Sequence, residues 1–158
     1  MKVIVAGIEG SGTEWMYRVI KTHPDCSQCV HQSYPIHWPG SPYVALNAYD
    51  GVNEAWTVMV MIRDQTCSQK SRINRKFHNI HPDHMDRLHA TIEMFDDLET
   101  WRGNTVFASY EGIVAFGDRY FPLLLEQLGL HPDRFDLENF KPYDANTKYM
   151  TAQSVLGG

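Results

Sequence analysis

An apolar run, Val3-Ile4-Val5-Ala6, breaks into Gly7-Ile8-Glu9-Gly10-Ser11-Gly12-Thr13 and then into Glu14-Trp15-Met16-Tyr17-Arg18-Val19-Ile20. A buried strand that feeds a glycine-rich turn and then a helix brings backbone N–H groups and a helix N-terminus onto one point, the framework of an anion cradle. Gly7 and Gly12 hold the two glycine positions of the G-x-x-x-x-G-K-[ST] loop, but Thr13 stands at its lysine and Glu14 at its metal-binding hydroxyl. An ATP or GTP site uses both of the groups that are missing. A glycine turn without a ligand is the plainer alternative. The strand-turn-helix context around the loop favours a bound phosphate, held without magnesium.

The rest of the chain repeats the alternation. Trp56 to Ile62 is a continuous apolar strand, the pattern of a parallel strand covered on both faces, and Thr105 to Ser109 is a third; Cys26 to His31 is a weaker strand. Helices are expected from about Gln65 to Lys76, from about Asp83 to Trp101, and from about Gly112 to Leu128 with Pro122 as an interruption and Gly129 as the stop. In the second of these, Met85, Leu88, Ile92, Phe95 and Leu98 or Glu99 recur every three to four residues and predict the buried face. Gln32 to Tyr43, with three prolines, reads as an ordered loop, and a short helix is expected within Pro132 to Asn139. Strands alternating with helices, with no repeat and no linker, predict one α/β domain over residues 1–158 built on a mostly parallel sheet.

Charge and cysteine content restrict the functions open to such a domain. A net charge of −5 gives no general attraction to nucleic acid or to anionic membranes, although Lys70-Ser71-Arg72-Ile73-Asn74-Arg75-Lys76 is locally basic. No apolar run reaches the length of a membrane span, and the first strand begins without a leader-like segment before it, so a cytoplasmic location with no membrane or nucleic-acid partner is expected. Cys26-x-x-Cys29 and Cys67 make no disulfide framework; ordinary reduced thiols are favoured over a redox pair or half a zinc site.

In a parallel sheet the carboxyl ends of the strands share one edge, so Gly10 to Thr13, Arg63 and Glu111 can meet there. An arginine closing an apolar strand needs a partner, and a phosphate or a salt bridge to Asp64, Glu9 or Glu111 would each supply one. His78-x-x-His81-x-x-His84 with Asp83 has metal-ligand side chains, but Pro82 interrupts it and no catalytic glutamate sits within it. A solvated loop is the favoured reading there, and no metal is expected.

Ser11-Gly12-Thr13 with Trp15 resembles the 5′-phosphosulfate loop of the P-loop sulfotransferases, enzymes that use 3′-phosphoadenosine 5′-phosphosulfate (PAPS). Val58-Met59-Val60-Met61-Ile62-Arg63 with Ser71 eight residues on is similar to the family's second motif, whose arginine and serine hold the donor's 3′-phosphate. Ser109-Tyr110-Glu111, leading to Gln127-Leu128-Gly129-Leu130, is a third, looser likeness, and the three fall in family order over residues 3–130.

The resemblance implies a sulfotransferase-like three-layer P-loop fold and a PAPS site formed by Gly10, Ser11, Gly12, Thr13, Glu14, Trp15, Arg63 and Ser71, with Trp15 against adenine. It also implies a histidine base, for which His31 is the first candidate and His37 the second, and a small-molecule or carbohydrate acceptor bearing a hydroxyl or amine. Gly10 stands where the family carries lysine or arginine. Lys148 could supply that cation if residues 141–158 fold over the donor, and a solvated tail is the alternative. Restoring a lysine at Gly10 is then expected to raise turnover. A P-loop kinase and a noncatalytic nucleotide-binding domain are the rival readings. The absent Walker lysine argues against the first, and Gly10 favours the second.

Overall fold

A computed structural model describes residues 1–36, 41–52, 56–74, 87–137, 140–142 and 144–150. Four strands, β1 (Lys2–Ile8), β2 (Gln28–Tyr34), β3 (Trp56–Ile62) and β4 (Asn104–Ser109), form one sheet in the order β2-β1-β3-β4, with every pair parallel. Helices α1 (Thr13–Lys21), α2 (Gln65–Asn74), α3 (Arg87–Thr100), α4 (Tyr110–Gln127) and the short α5 (Thr147–Met150) complete the described secondary structure together with two 3-10 segments, Leu46–Val52 and Pro132–Arg134. The architecture is α/β with an all-parallel central sheet.

The unbroken apolar runs of β1 and β3 follow from two cores, one on each face of the sheet. Val3, Val5, Met59 and Met61 pack with Met16 and Ile20 of α1 and with Ile113, Phe121, Leu124 and Leu125 of α4. The alternate residues Ile4, Ala6, Val58 and Val60 pack on the other face with Tyr34, Leu46 and the α3 residues Ala90 and Met94. Period-two alternation therefore assigns each strand residue to a layer. His31 and Ser33 lie in register with Val5 and Gly7, which places both on the α1 side of the sheet.

Two expectations are corrected by these contacts. Gln32, Ser33 and Tyr34, read as loop, belong to β2 and are buried, because each pairs with a residue of β1 from Ala6 to Ile8. In α3 most of the expected apolar stripe faces outward: Leu88 is 68% exposed and Phe95 54%, with Ile92 also exposed, while Leu98 packs half-buried against the core and Ala90, Met94 and Asp97 are buried. Met85 lies outside the described residues. The buried face is chosen by an anchor that periodicity does not weigh. The Asp97 carboxylate accepts from the Tyr34 hydroxyl at 2.5 Å and from the Leu46 N–H at 2.9 Å, turning the polar side of Asp97 into the core.

The other helices run close to expectation. In α4 the non-helical dihedrals fall at Phe116 rather than at Pro122. Where a short helix was expected within Pro132 to Asn139, the described residues form the 3-10 turn Pro132–Arg134, and α5 appears in a tail that carries no helical signal of its own.

Candidate functional site

Strands β1, β3 and β4 end at Ile8, Ile62 and Ser109, and β2 ends beside β1 at Tyr34, so the following turns crowd one edge of the sheet. The chain reverses its direction of travel across the sheet at β1, with β2 on one side and β3 on the other; that switch point is where open α/β sheets form crevices. The glycine loop occupies it.

The loop's conformation depends on two glycines. Gly12 is the N-cap of α1 at φ 94°, and a Cβ there would lie 2.9 Å from the ring of Tyr110. The N-cap is a glycine and offers no capping side chain, and the first N–H groups, which an α-helix leaves without partners inside the helix, open beside the residues that line the crevice. Gly10 has φ 84°, and a Cβ there would sit 2.5 Å from the Ser68 carbonyl oxygen and 3.1 Å from Cγ of Arg72. The expectation that lysine at this position would restore a family cation is therefore corrected. Position 10 has neither the backbone conformation nor the space for a side chain, because α2 crosses directly behind it.

Arg63 closes β3 and is 7% exposed. Its Nη1 donates to the Gly10 carbonyl at 2.8 Å and its Nε to Asn146 Oδ1 at 2.7 Å, while its guanidinium lies 4.4 Å from the Tyr110 ring centroid and 5.6 Å from that of Tyr149. Nη2 is buried with no hydrogen-bond partner among the described residues. A buried guanidinium edge of that kind is costly unless a ligand completes it. Ser11 Oγ, also buried, is a second such group in the loop.

Three hollows reach this arginine; one, lined with Ser11, Met61, Ser68 and Met94, lies apart from the other two, which share the loop and Ser71. The smaller of those two, about 80 Å³, is lined by the loop with Trp15, His31, Ser33, Tyr43, Arg63 and Ser71. The larger, about 350 Å³, shares Gly12, Trp15, Arg63 and Ser71 and adds Asn74, Tyr110, Lys148 and Tyr149. The structure thus brings together Gly10, Gly12, Thr13, Glu14, Trp15, His31, Arg63, Ser71 and Lys148 around one crevice, whereas Ser11 lines the separate hollow beside Met61, Ser68 and Met94. His37 and the His78/His81/His84 cluster lie outside the described residues. Among the described residues no group of three His, Cys, Asp or Glu could hold a metal.

His31 Nε2 lies 2.9 Å from Thr13 Oγ1 and 3.0 Å from Ser33 Oγ, and those two hydroxyls are 3.1 Å apart. The imidazole is flanked by Tyr17, stacked at 5.9 Å, and Tyr43, edge-on at 5.5 Å. Thr13, at the loop's lysine position, therefore carries the hydroxyl that links the histidine to the cradle. Glu14 turns to Arg18, 2.5 Å away on the surface of α1. Trp15 packs nearly parallel to Phe140, with centroids 6.1 Å apart, and edge-on to Tyr110 at 5.7 Å.

The tail contributes more than the sequence indicated. Lys70 Nζ donates to the Tyr149 carbonyl at 2.8 Å and the Ala145 N–H to the Tyr110 hydroxyl at 3.0 Å, which straps residues 144–150 over α2 and the start of α4. Burial raises the Tyr149 phenol, but hydrogen bonds with Ser71 and Lys148, the Lys148 charge and a hydrogen bond with Asn74 outweigh it, and the net shift is downward. Asn146, Tyr149, Tyr110 and Ser33 are the site residues that sequence reasoning missed. Ser33 carried a usable signal, two residues from His31 on the same strand face; Asn146 and Tyr149 carried none, because only the fold returns the tail to β3.

Away from this edge, Cys26 and Cys29 are free thiols in mutual contact. The hydrogen bond from Cys29 brings Cys26 down to about 7, while that bond and burial push Cys29 up.

No family model, curated protein or solved structure matches this chain. What the fold and site define is an α/β protein with an all-parallel sheet and an anion-cradle candidate at its switch point. No helix among the described residues is long and apolar enough to cross a membrane.

Proposed function

We propose that the chain is a sulfotransferase-like P-loop protein that binds PAPS at this edge and transfers its sulfuryl group to a hydroxyl or amine. The observation that carries the reading is the convergence on one crevice of a helix N-terminus opening from Gly12, Ser71 and the buried Arg63, whose Nη2 has no partner among the described residues. The glycine loop and the N–H groups opening α1 suit the 5′-phosphosulfate. Arg63 and Ser71, with Asn74 and Lys148 beside them, suit the 3′-phosphate. Trp15 offers a ring face to the adenine.

The donor supplies an activated S–O bond. The acceptor oxygen or nitrogen forms a bond to sulfur as the bond to the 5′-phosphate oxygen breaks, the electron pair leaves with adenosine 3′,5′-bisphosphate, and the acceptor proton goes to a base. In this reading His31 Nε2 takes it, exchanging one of its two hydroxyl contacts for the acceptor. The loop amides serve the charge that develops on the leaving phosphate, while Lys148 stays with Ser71 and Asn74 at the other end of the donor.

A second reading, a binding domain without chemistry, is favoured by one feature: the space behind Gly10 is filled, so the loop cannot carry a cation there. Calorimetry with adenosine 3′,5′-bisphosphate, set against ATP with magnesium, tests the donor reading, and transfer of labelled sulfate from PAPS separates enzyme from binding domain. Binding of ATP that disappears with EDTA would return the chain to the kinase class.

A further inference from the structure

The partners of Arg63 are both neutral: the Gly10 carbonyl and the amide oxygen of Asn146. The nearest carboxylate in this chain of bonds stands one residue further off, where Glu111 Oε1 accepts from Asn146 Nδ2 at 2.7 Å and from the Asp64 N–H at 2.9 Å. The orientation of the Asn146 amide is forced, because a guanidinium only donates and a carboxylate only accepts, so Oδ1 must face Arg63 and Nδ2 must face Glu111.

We propose that Asn146, held by Glu111, is a positioning residue that fixes Arg63 while sparing its positive charge, and so gives the site its preference for a nucleotide carrying a 3′-phosphate. The inference rests on the donor reading above.

A carboxylate in place of the amide would make the same contact to Nε, but it would neutralise the guanidinium and repel an incoming phosphate dianion. With an amide there, Nε is bonded, Nη1 ties the arginine to the loop, and Nη2 keeps both its hydrogens and the residue its net charge. Stacking between Tyr110 and Tyr149 adds rigidity without adding charge. Asn146 is 5% exposed and sits at the start of α5, where Asp144 Oδ1 accepts from its N–H at 2.9 Å. The strap thus delivers the amide in a set position.

The test is calorimetry on the full chain with adenosine 3′,5′-bisphosphate and adenosine 5′-phosphate, using Asn146→Asp and Asn146→Ala after thermal unfolding shows each to be folded. Wild type should prefer the bisphosphate. Asn146→Asp, the same size, adds one charge beside Arg63 and gives up the donor to Glu111, and should weaken the bisphosphate about 10-fold or more and the 5′-phosphate by less than about 3-fold, whereas Asn146→Ala gives up that donor without adding the charge. Asn146→Ala should lose part of the preference, about 3-fold, through a less ordered arginine. A wild type that prefers the bisphosphate beside an Asn146→Asp that keeps this preference overturns the inference and leaves the donor reading standing. Should Asn146→Asp not fold, equal weakening of both nucleotides by Asn146→Ala overturns it. A wild type that does not distinguish the two nucleotides overturns the donor reading and the inference together.

Discussion

At the scale of single residues, burial and hydrogen bonding give each side chain of the crevice a distinct test. Arg63→Ala should weaken adenosine 3′,5′-bisphosphate by about 1.5 to 3 kcal/mol and adenosine 5′-phosphate much less, as loss of a charge-assisted contact to one phosphate does, and calorimetry reads both. Ser71→Ala acts in the same direction with the smaller loss of a neutral hydrogen bond. His31→Ala should lower sulfuryl transfer about 100-fold or more with donor affinity nearly kept; unchanged turnover would remove the histidine from the reaction. Because Nε2 touches two buried hydroxyls, the variant's thermal midpoint must be measured beside its rate. Cys26 offers a test remote from the crevice. With its thiol at about 7, its alkylation by iodoacetamide should reach half its maximal rate near that pH and outpace Cys29 and buried Cys67. Equal labelling of the three thiols at neutral pH would count against the Cys26–Cys29 contact.

At the scale of elements, α3 shows where pattern and packing disagree. Periodicity selects Leu88, Ile92 and Phe95 as its core face, whereas the structure buries Ala90, Met94 and Asp97. Met94→Ala should therefore cost about 2 to 5 kcal/mol in urea unfolding, and Leu88→Ser or Phe95→Ser about 0.5 kcal/mol or less. The reverse ranking would restore the periodic face. The loop and α2 form a second such pair. Gly10→Lys should destabilise the fold and lower donor affinity, since its Cβ meets the Ser68 carbonyl, which belongs to the α2 backbone and cannot rotate aside. The absence of a cation at position 10 is thus a property of how α2 packs as much as of the loop sequence.

At the scale of the whole molecule, the site exists because four parallel strands end along one edge and the tail returns to it. The crevice is lined by N–H groups, hydroxyls, the cations Arg63 and Lys148 and the carboxylates of Glu9 and Glu14, without the lysine and metal-binding hydroxyl of an ATP or GTP loop, so donor binding should be indifferent to EDTA, and magnesium with ATP or GTP should give no binding heat. Thr13 and Glu14 in the lysine and metal-hydroxyl positions are the cause.

The sequence by itself determined the three strong strands, the helices between them and the position of the glycine loop. Those features rest on local properties, on apolar runs that only a doubly covered strand can bury and on glycines at fixed spacing from a helix start. It also marked Arg63, because a residue at the end of an apolar strand falls on the edge where parallel sheets open, whereas Ser71 and His31 were marked only by the resemblance to the sulfotransferase motifs. Tertiary structure alone decided three things. It extended β2 through Tyr34 by pairing it to β1, which set Ser33 beside His31 and Thr13. It turned α3 by the bonds of Asp97 to Tyr34 and Leu46. And it brought Asn146 from 83 residues away onto Arg63, a contact between a strand end and a polar tail for which no local pattern exists, since its partner is fixed only when the chain has closed around the sheet.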